Sequence, residues 1–284
     1  MPNRRELGYV SAGSTNTVYV STGIYGRATG GIGSPTAVTI SGVNYEYLTF
    51  NATGTLTVTT AGWFDYLAVG GGGGNHEASG SSGGGGGGSG VLLIGSIYLD
   101  ANQTITIGGG SSRALYYTLH TAGDTTIAAT SPFSVTAGGN VSILENAGFN
   151  VPSVGGQPGC VANATRRTIT QAYGFMGGSS VSHGGGGGGS TSAGTSSTST
   201  VGGAGGAGFD VSVFIGGSEL RKAMGAGGGA PTTGGAAPTG GVAGSNNTTP
   251  PNGNANSGGG GGGGMNICTT GNGGSGICYI RWKV

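Results

Sequence analysis

Four uninterrupted glycine runs, at 70–74, 83–88, 184–189 and 258–264, constrain this chain more than any other feature. The first follows directly on "WFDYLAV" and the second leads into "GVLLIGSIYL", so apolar, strand-like segments bracket them. Glycine loses more backbone entropy on folding than any other residue, and ordinary helices and strands avoid it in their interiors. Disorder is the plain reading of glycine-rich low complexity, but disordered chains are poor in aromatics and tend to be highly charged. Here only 7% of residues are charged, and the chain carries 11 Tyr, 7 Phe and 2 Trp. Collagen is excluded, because there is no Gly-X-Y period and only 9 prolines accompany 72 glycines. Silk-like repetition fails as well, since the blocks between the runs differ from one another.

What remains is a packed use of glycine. A chain without Cβ enters the polyproline II conformation, with about 3 residues per turn and a rise of about 3.1 Å. Such a helix makes no internal hydrogen bonds, so its N–H and C=O groups must be satisfied sideways. Only glycine lets neighbouring backbones come close enough, and a six-glycine run then spans about 19 Å. The runs are therefore expected to form a bundle of antiparallel polyglycine II segments. Its inner positions are Gly71, Gly72 and Gly73, Gly85, Gly86 and Gly87, Gly186 and Gly187, and Gly260, Gly261 and Gly262.

The rest of the chain reads as strands. "NYEYLTF", "GTLTVTT" and "WFDYLAV" alternate with period two and are separated by turn residues at 51–54 and 61–62. "GVLLIGSIYLDANQTITIGGG" reads as two strands around "LDANQ". Residues 111–182, the least glycine-rich stretch, hold weak strands and read as a β-rich insertion. "FDVSVFIGG" reads as a further strand, and only "SELRKAM" has helical character. In the terminal "GICYIRWKV", Ile277, Tyr279, Arg281 and Lys283 share one face, and Cys278, Ile280, Trp282 and Val284 the other. The expected fold class is all-β, a β-sandwich-like base carrying a polyglycine II bundle, with little or no α-helix. Residues 1–42 read as an N-terminal attachment segment and 43–284 as the glycine-rich domain.

Several chemistries find no footing. "YLAVGGGGGNHE" contains G-x-G-x-x-G after a strand, but no helix follows and no acidic residue stands about 20 positions on. No G-K-[ST] completes a phosphate loop. The histidines, His76, His120 and His183, have no third group converging on them, although His76 adjoins Glu77. The nine carboxylates are scattered, which argues against a glycosidase pair. Cys160, Cys268 and Cys278 form no metal-site spacing and read as reduced thiols. No metal, no cofactor and no catalytic residue is expected. A net charge of +1 gives no field for nucleic acid or anionic membrane, and no apolar stretch approaches the roughly 18 residues of a membrane span.

The order of blocks is informative: "LTVTTAGWFDYLAVGGGGG", then "GGGGGGSGVLLIGSIYLDANQTITIGGG", then further glycine blocks, then "GNGGSGICYIRWKV". It resembles the glycine-rich domain of bacteriophage tail-fibre and virion proteins, over about 43–110 and 184–284. That family is similar to polyglycine-helix adhesins at fibre tips. The resemblance implies a non-enzymatic virion protein, assembled in the bacterial host cytoplasm. It further implies loops presented to a host surface glycan or outer-membrane protein. Other virion proteins are the expected partners, and a homo-oligomer is expected, with a trimer favoured by fibre symmetry and a monomeric tip as the alternative. A capsid decoration or fibre-capping protein that contacts only virion subunits is the rival reading. Candidate receptor-binding residues are Tyr116 and Tyr117 in "ALYYT", and Arg166, Arg167, Tyr173 and Phe175 in "ATRRTITQAYGF", because Tyr and Arg are frequent interface anchors. The rival reading of these residues is ordinary strand packing. "GSNNTTPPNGNANSG", 244–257, reads as a solvated connector.

Overall fold

The period-two alternation of 43–69 becomes three consecutive strands: β3 (Val43–Phe50), β4 (Gly54–Thr60) and β5 (Gly62–Val69). The computed structural model describes residues 24–75, 83–112, 121–128, 135–139, 170–179, 183–246, 248–265 and 271–284. Two strands precede these three, β1 (Arg27–Gly30) and β2 (Thr36–Ile40). The apolar pair around "LDANQ" gives β6 (Leu92–Leu99) and β7 (Gln103–Thr106). Residues 111–182 contribute β8 (Thr125–Ala128), β9 (Val135–Ala137) and β10 (Thr170–Tyr173). The terminal segment is β13 (Ile277–Lys283).

These strands form two antiparallel sheets. One has six strands in the order β10-β6-β5-β13-β3-β2, the other five in the order β1-β4-β7-β8-β9. β5 and β13 are central to the first, with Tyr279 opposite Leu67 and Ile280 opposite Tyr66. The inner faces meet in one core that includes Leu48, Phe50, Leu56, Phe64, Tyr66, Ile105, Ile127 and Trp282. Trp282 packs edge-to-face on Phe64 (5.7 Å between ring centres), and its indole N–H donates to Glu46 (3.0 Å). β1, which a four-residue "RATG" does not announce, contributes the buried Ala28 to this core by pairing with β4. The strands at 27–30 and 36–40 are thus hydrogen-bonded into the two sheets, beside β4 and β3.

The outer face of the six-stranded sheet is covered too, which is why both faces of β13 are buried. Residues 209–222 lie over it. "FDVSVFIGG", expected as one strand, instead splits into β11 (Phe209–Asp210) and a single helical turn, α1 (Ser212–Ile215). The Asp210 carboxylate makes the turn, accepting hydrogen bonds from the amides of Ser212 and Leu220 (both 3.0 Å) and from the Ser212 hydroxyl (2.9 Å). "SELRKAM", expected as the helical segment, supplies β12 (Arg221–Lys222), the partner of β11. Val211 and Phe214, three apart on the turn, pack with Leu67, Val69, Leu92, Ile277 and Tyr279.

The backbone hydrogen bonds from Leu220 and Ser212 hold the Asp210 carboxyl below its ordinary range. A depressed folded pKa stabilises above the unfolded pKa of about 3.9, and that stability is lost as pH falls through the folded value. Acid titration followed by near-ultraviolet dichroism is therefore expected to show a loss of stability below about pH 4. Part of that loss should be absent in Asp210→Asn. Cys278, fully buried, has its thiol pushed well up by desolvation. The Cys278 peptide is expected to stay unalkylated by iodoacetamide at pH 8 until denaturant is added; native-state labelling at that peptide would contradict the burial.

Beyond the sandwich and the β11–β12 pair, the described glycine segments contain no named strand but are hydrogen-bonded laterally along their length. Gly84, Gly87 and Gly90 donate to the carbonyls of Gly264, Gly261 and Gly258 (2.7–2.9 Å), two segments running in opposite directions. Gly184, Gly187 and Ser190 donate likewise to Gly229, Ala226 and Ala223 (2.8–3.0 Å). Gly86 and Ser89 donate to Gly185 and Gly188, and Gly203 and Gly206 to Gly184 and Gly187, between segments running in the same direction. The bonds to any one neighbour thus recur every third residue. Neighbours of both senses occur, where antiparallel ones alone were expected; lateral donors reach a carbonyl of either polarity. The interior positions have no room for a side chain: a Cβ on Gly86 would strike the Ala226 carbonyl, and one on Gly187 the Gly87 carbonyl. At the margin the rule relaxes every third residue. In "VGGAGGAG" the side chains of Val201, Ala204 and Ala207 reach solvent, while Gly202, Gly203, Gly206 and Gly208 are buried.

Candidate recognition surface beyond the glycine segments

The glycine segments all leave the same end of the sandwich. Gly70 follows β5, Gly90 leads towards β6, and Gly276 precedes β13; Gly70 donates to Val91 and Gly90 to Gly258 (both 2.9 Å). The opposite end of the sandwich holds both extremities of the described chain. Trp63 donates to Ile24 (3.0 Å), Val284 to Asn44 (3.1 Å), and the Arg27 guanidinium to the Lys283 carbonyl (3.0 Å). Among the described residues, connections at the far end of the glycine segments are therefore remote from residue 24 and from Val284.

Three of those connections are described and tied to one another. Residues 198–201 close a turn, with the Thr198 amide donating to the Val201 carbonyl (2.9 Å) and the Val201 amide to the Thr198 hydroxyl (3.1 Å). The Thr232 amide donates to Thr200 (3.3 Å), which joins 230–233 to that turn. The Asn246 side-chain amide donates to the Thr232 carbonyl (3.0 Å), and the Ser245 hydroxyl to that of Thr248 (2.6 Å). His183 Nε2 donates to the Ser199 carbonyl (3.0 Å), and the Ser197 hydroxyl to that of His183 (2.7 Å), so the turn is also fixed to the 184–189 run. Thr198, Ser199, Thr200, Thr232, Asn246 and Thr248 are exposed. This uncharged patch of hydroxyls and one carboxamide rests on backbone that the glycine segments hold in place.

The sequence candidates lie elsewhere. Tyr116, Tyr117, Arg166 and Arg167 fall outside the described residues, as do His76, His120, Cys160 and Cys268. Tyr173 pairs with Leu92 at the edge of the six-stranded sheet. Phe175, 44% exposed, lies just beyond it, where its amide donates to Gly189 (2.9 Å). Both are on the flank where sandwich meets glycine segments, away from the 198–201 turn. The glycine candidates fare differently: all eleven are buried. What sequence reading missed is the tip patch, part of which, 245–248, falls in the stretch expected as a connector. Its signal was the position of Ser/Thr/Asn clusters between glycine blocks, a composition shared with ordinary solvated loops.

Among the described residues no group of three or more His, Cys, Asp or Glu is placed to hold a metal ion. A hollow of about 280 Å³ beside the β3–β4 turn is lined by Ile32, Phe50, Asn51, Thr53 and neighbouring glycines, without a titratable side chain. The architecture, an antiparallel sandwich from one end of which glycine segments project and carry polar turns, defines a glycine-rich β protein. The chain matches the family model of the glycine-rich domain over residues 49–283, and it belongs to that family. No curated protein matches it.

Proposed function

We propose that this chain is a structural protein of a bacteriophage tail fibre or fibre tip, non-enzymatic, that presents loops for recognition of the host surface. One observation carries the reading: the polarity of the molecule. Ile24, the first described residue, and Val284 lie at one extremity, and the interlocked polar turns lie at the other. A protein anchored through its sandwich and preceding residues would carry those turns outward. The three-residue recurrence of the lateral hydrogen bonds supports reading the projecting segments as polyglycine II helices, whose repeat is about three residues. Such a bundle resists bending because adjacent rods are bonded on several sides, so the presented turns keep their geometry.

The experiment is localisation together with adsorption. Antibody labelling of intact virions is expected to mark the ends of the tail fibres, and the purified chain to bind host cells and block phage adsorption. Label distributed over the head, at a copy number matching the capsid lattice, would replace this reading with a decoration protein. Release of reducing ends from host polysaccharide would overturn the non-enzymatic assignment.

A further inference from the structure

Among the described residues, the tip turns carry no Asp, Glu, Lys or Arg. From Thr168 to Phe209 and from Ala223 to Ile280 the sequence contains no Asp, Glu, Lys or Arg. Those two stretches supply every described residue of the turns at 198–201, 230–233 and 245–248. The charged side chains of the described chain sit instead on the sandwich and its covering segment, as with Arg281 and Asp65, or Arg221 and Glu219. We infer that the described tip turns bind an uncharged, hydroxyl-rich ligand, a neutral saccharide chain. This inference rests on the receptor-recognition reading above and names the chemistry of its ligand.

Three features of the patch lead there. Ser199, Thr200, Thr232 and Thr248 are exposed, and their hydroxyls make no hydrogen bond within the described chain. A hydroxyl both donates and accepts, as sugar hydroxyls do, so such a set matches a saccharide without a fixed donor–acceptor pattern. Second, the backbone beneath them is already ordered by the Thr232–Thr200, Asn246–Thr232 and His183–Ser199 bonds, so little conformational entropy is lost on binding. Third, the anchors of protein–protein recognition are missing from these turns: they contain no aromatic or Arg residue, and Val201, 39% exposed, is their one large aliphatic side chain. An anionic polymer would find no Lys or Arg in these turns to pair with.

The test uses the full chain, fluorescently labelled, on an array of purified polysaccharides. The neutral members are dextran, mannan and galactan; the anionic ones are polysialic acid and a teichoic acid. Retention is read at about 0.05 M and about 0.5 M NaCl. Host cells, before and after surface proteolysis, are measured alongside. Retention on a neutral polymer, and binding to cells after proteolysis, are expected to change by less than about twofold between the two salt concentrations. Thr232→Lys is expected to weaken retention about tenfold with an unchanged melting temperature, and Asn246→Ala, which also loses its bond to the Thr232 carbonyl, to weaken it about tenfold with a fall of no more than about 4 °C. Tyr98→Ala, on the sandwich, is expected to leave retention intact. Cell binding that is abolished by proteolysis or by high salt, or that survives both tip substitutions, would overturn the neutral-saccharide assignment while leaving host attachment standing. Absence of binding to host cells under every condition would remove the attachment reading itself.

Discussion

Gly86→Val is expected to destabilise the protein by about 3 kcal/mol, a fall of about 6–12 °C in the thermal midpoint for a chain of this size. A Cβ at Gly86 meets the Ala226 carbonyl oxygen and carbon and then the Gly227 carbonyl, all of them backbone atoms. Backbone cannot swing aside as the end of a flexible side chain can. The two segments must separate, which also strains the Ala226–Gly87 and Gly87–Gly261 hydrogen bonds (3.0 and 2.8 Å). Gly109 is the matched control: a Cβ there meets nothing within 4 Å, so Gly109→Ala is expected to lie within about 0.5 kcal/mol of the parent. Equal melts for the two variants would show that the glycines are chosen for something other than close approach.

Arg281→Met is expected to be as severe, about 3 kcal/mol, through a different cause. Arg281 is buried on the covered face of the six-stranded sheet, its guanidinium stacked between the rings of Tyr45 (4.3 Å) and Phe214 (4.0 Å). It donates to the Phe214 carbonyl (2.7 Å) and pairs with Asp65 (3.3 Å), whose other oxygen accepts from the Ser96 hydroxyl (2.6 Å). Removing it leaves Asp65 without its ion-pair partner and takes away the bond that ties the helical turn to β13. Asp65→Asn added to Arg281→Met is expected to recover part of the loss, because the uncompensated carboxylate is then gone. Trypsin cleavage at Arg221, on the loosened segment, should quicken in the single variant. A double variant no more stable than the single one would place the cost in lost stacking instead of in the charge.

How far the sequence was legible follows from the range of the interactions involved. The sandwich strands from β3 to β7, and β13, were visible because alternation and turn residues are local properties that a single stretch declares. The opposed faces of β13 were visible for the same reason. β1 was not, since "RATG" acquires its place only by pairing with β4. "FDVSVFIGG" misled because its apolar content satisfies a strand and a helical turn alike. The choice falls to the Asp210 carboxylate and to Leu220, ten residues on. The "VGGAGGAG" period was there to be read and marks a rod at the edge of the bundle, where every third side chain finds solvent.

The candidate surface divides in the same way. Composition alone determined that the glycine runs had to pack against backbone, because nothing else tolerates so many residues without Cβ at so low a charge. It also determined that the stretches 168–209 and 223–280 carry no Asp, Glu, Lys or Arg. Which turns stand together was decided by the tertiary structure. Thr200, Thr232 and Asn246 are 14 to 46 positions apart, and they meet only because segments of similar length, laid side by side, end at one level. A lateral hydrogen-bond lattice has almost no sequence code of its own, since every glycine offers the same donor and acceptor. Register, neighbour and polarity are therefore set by the strands and turns at its ends.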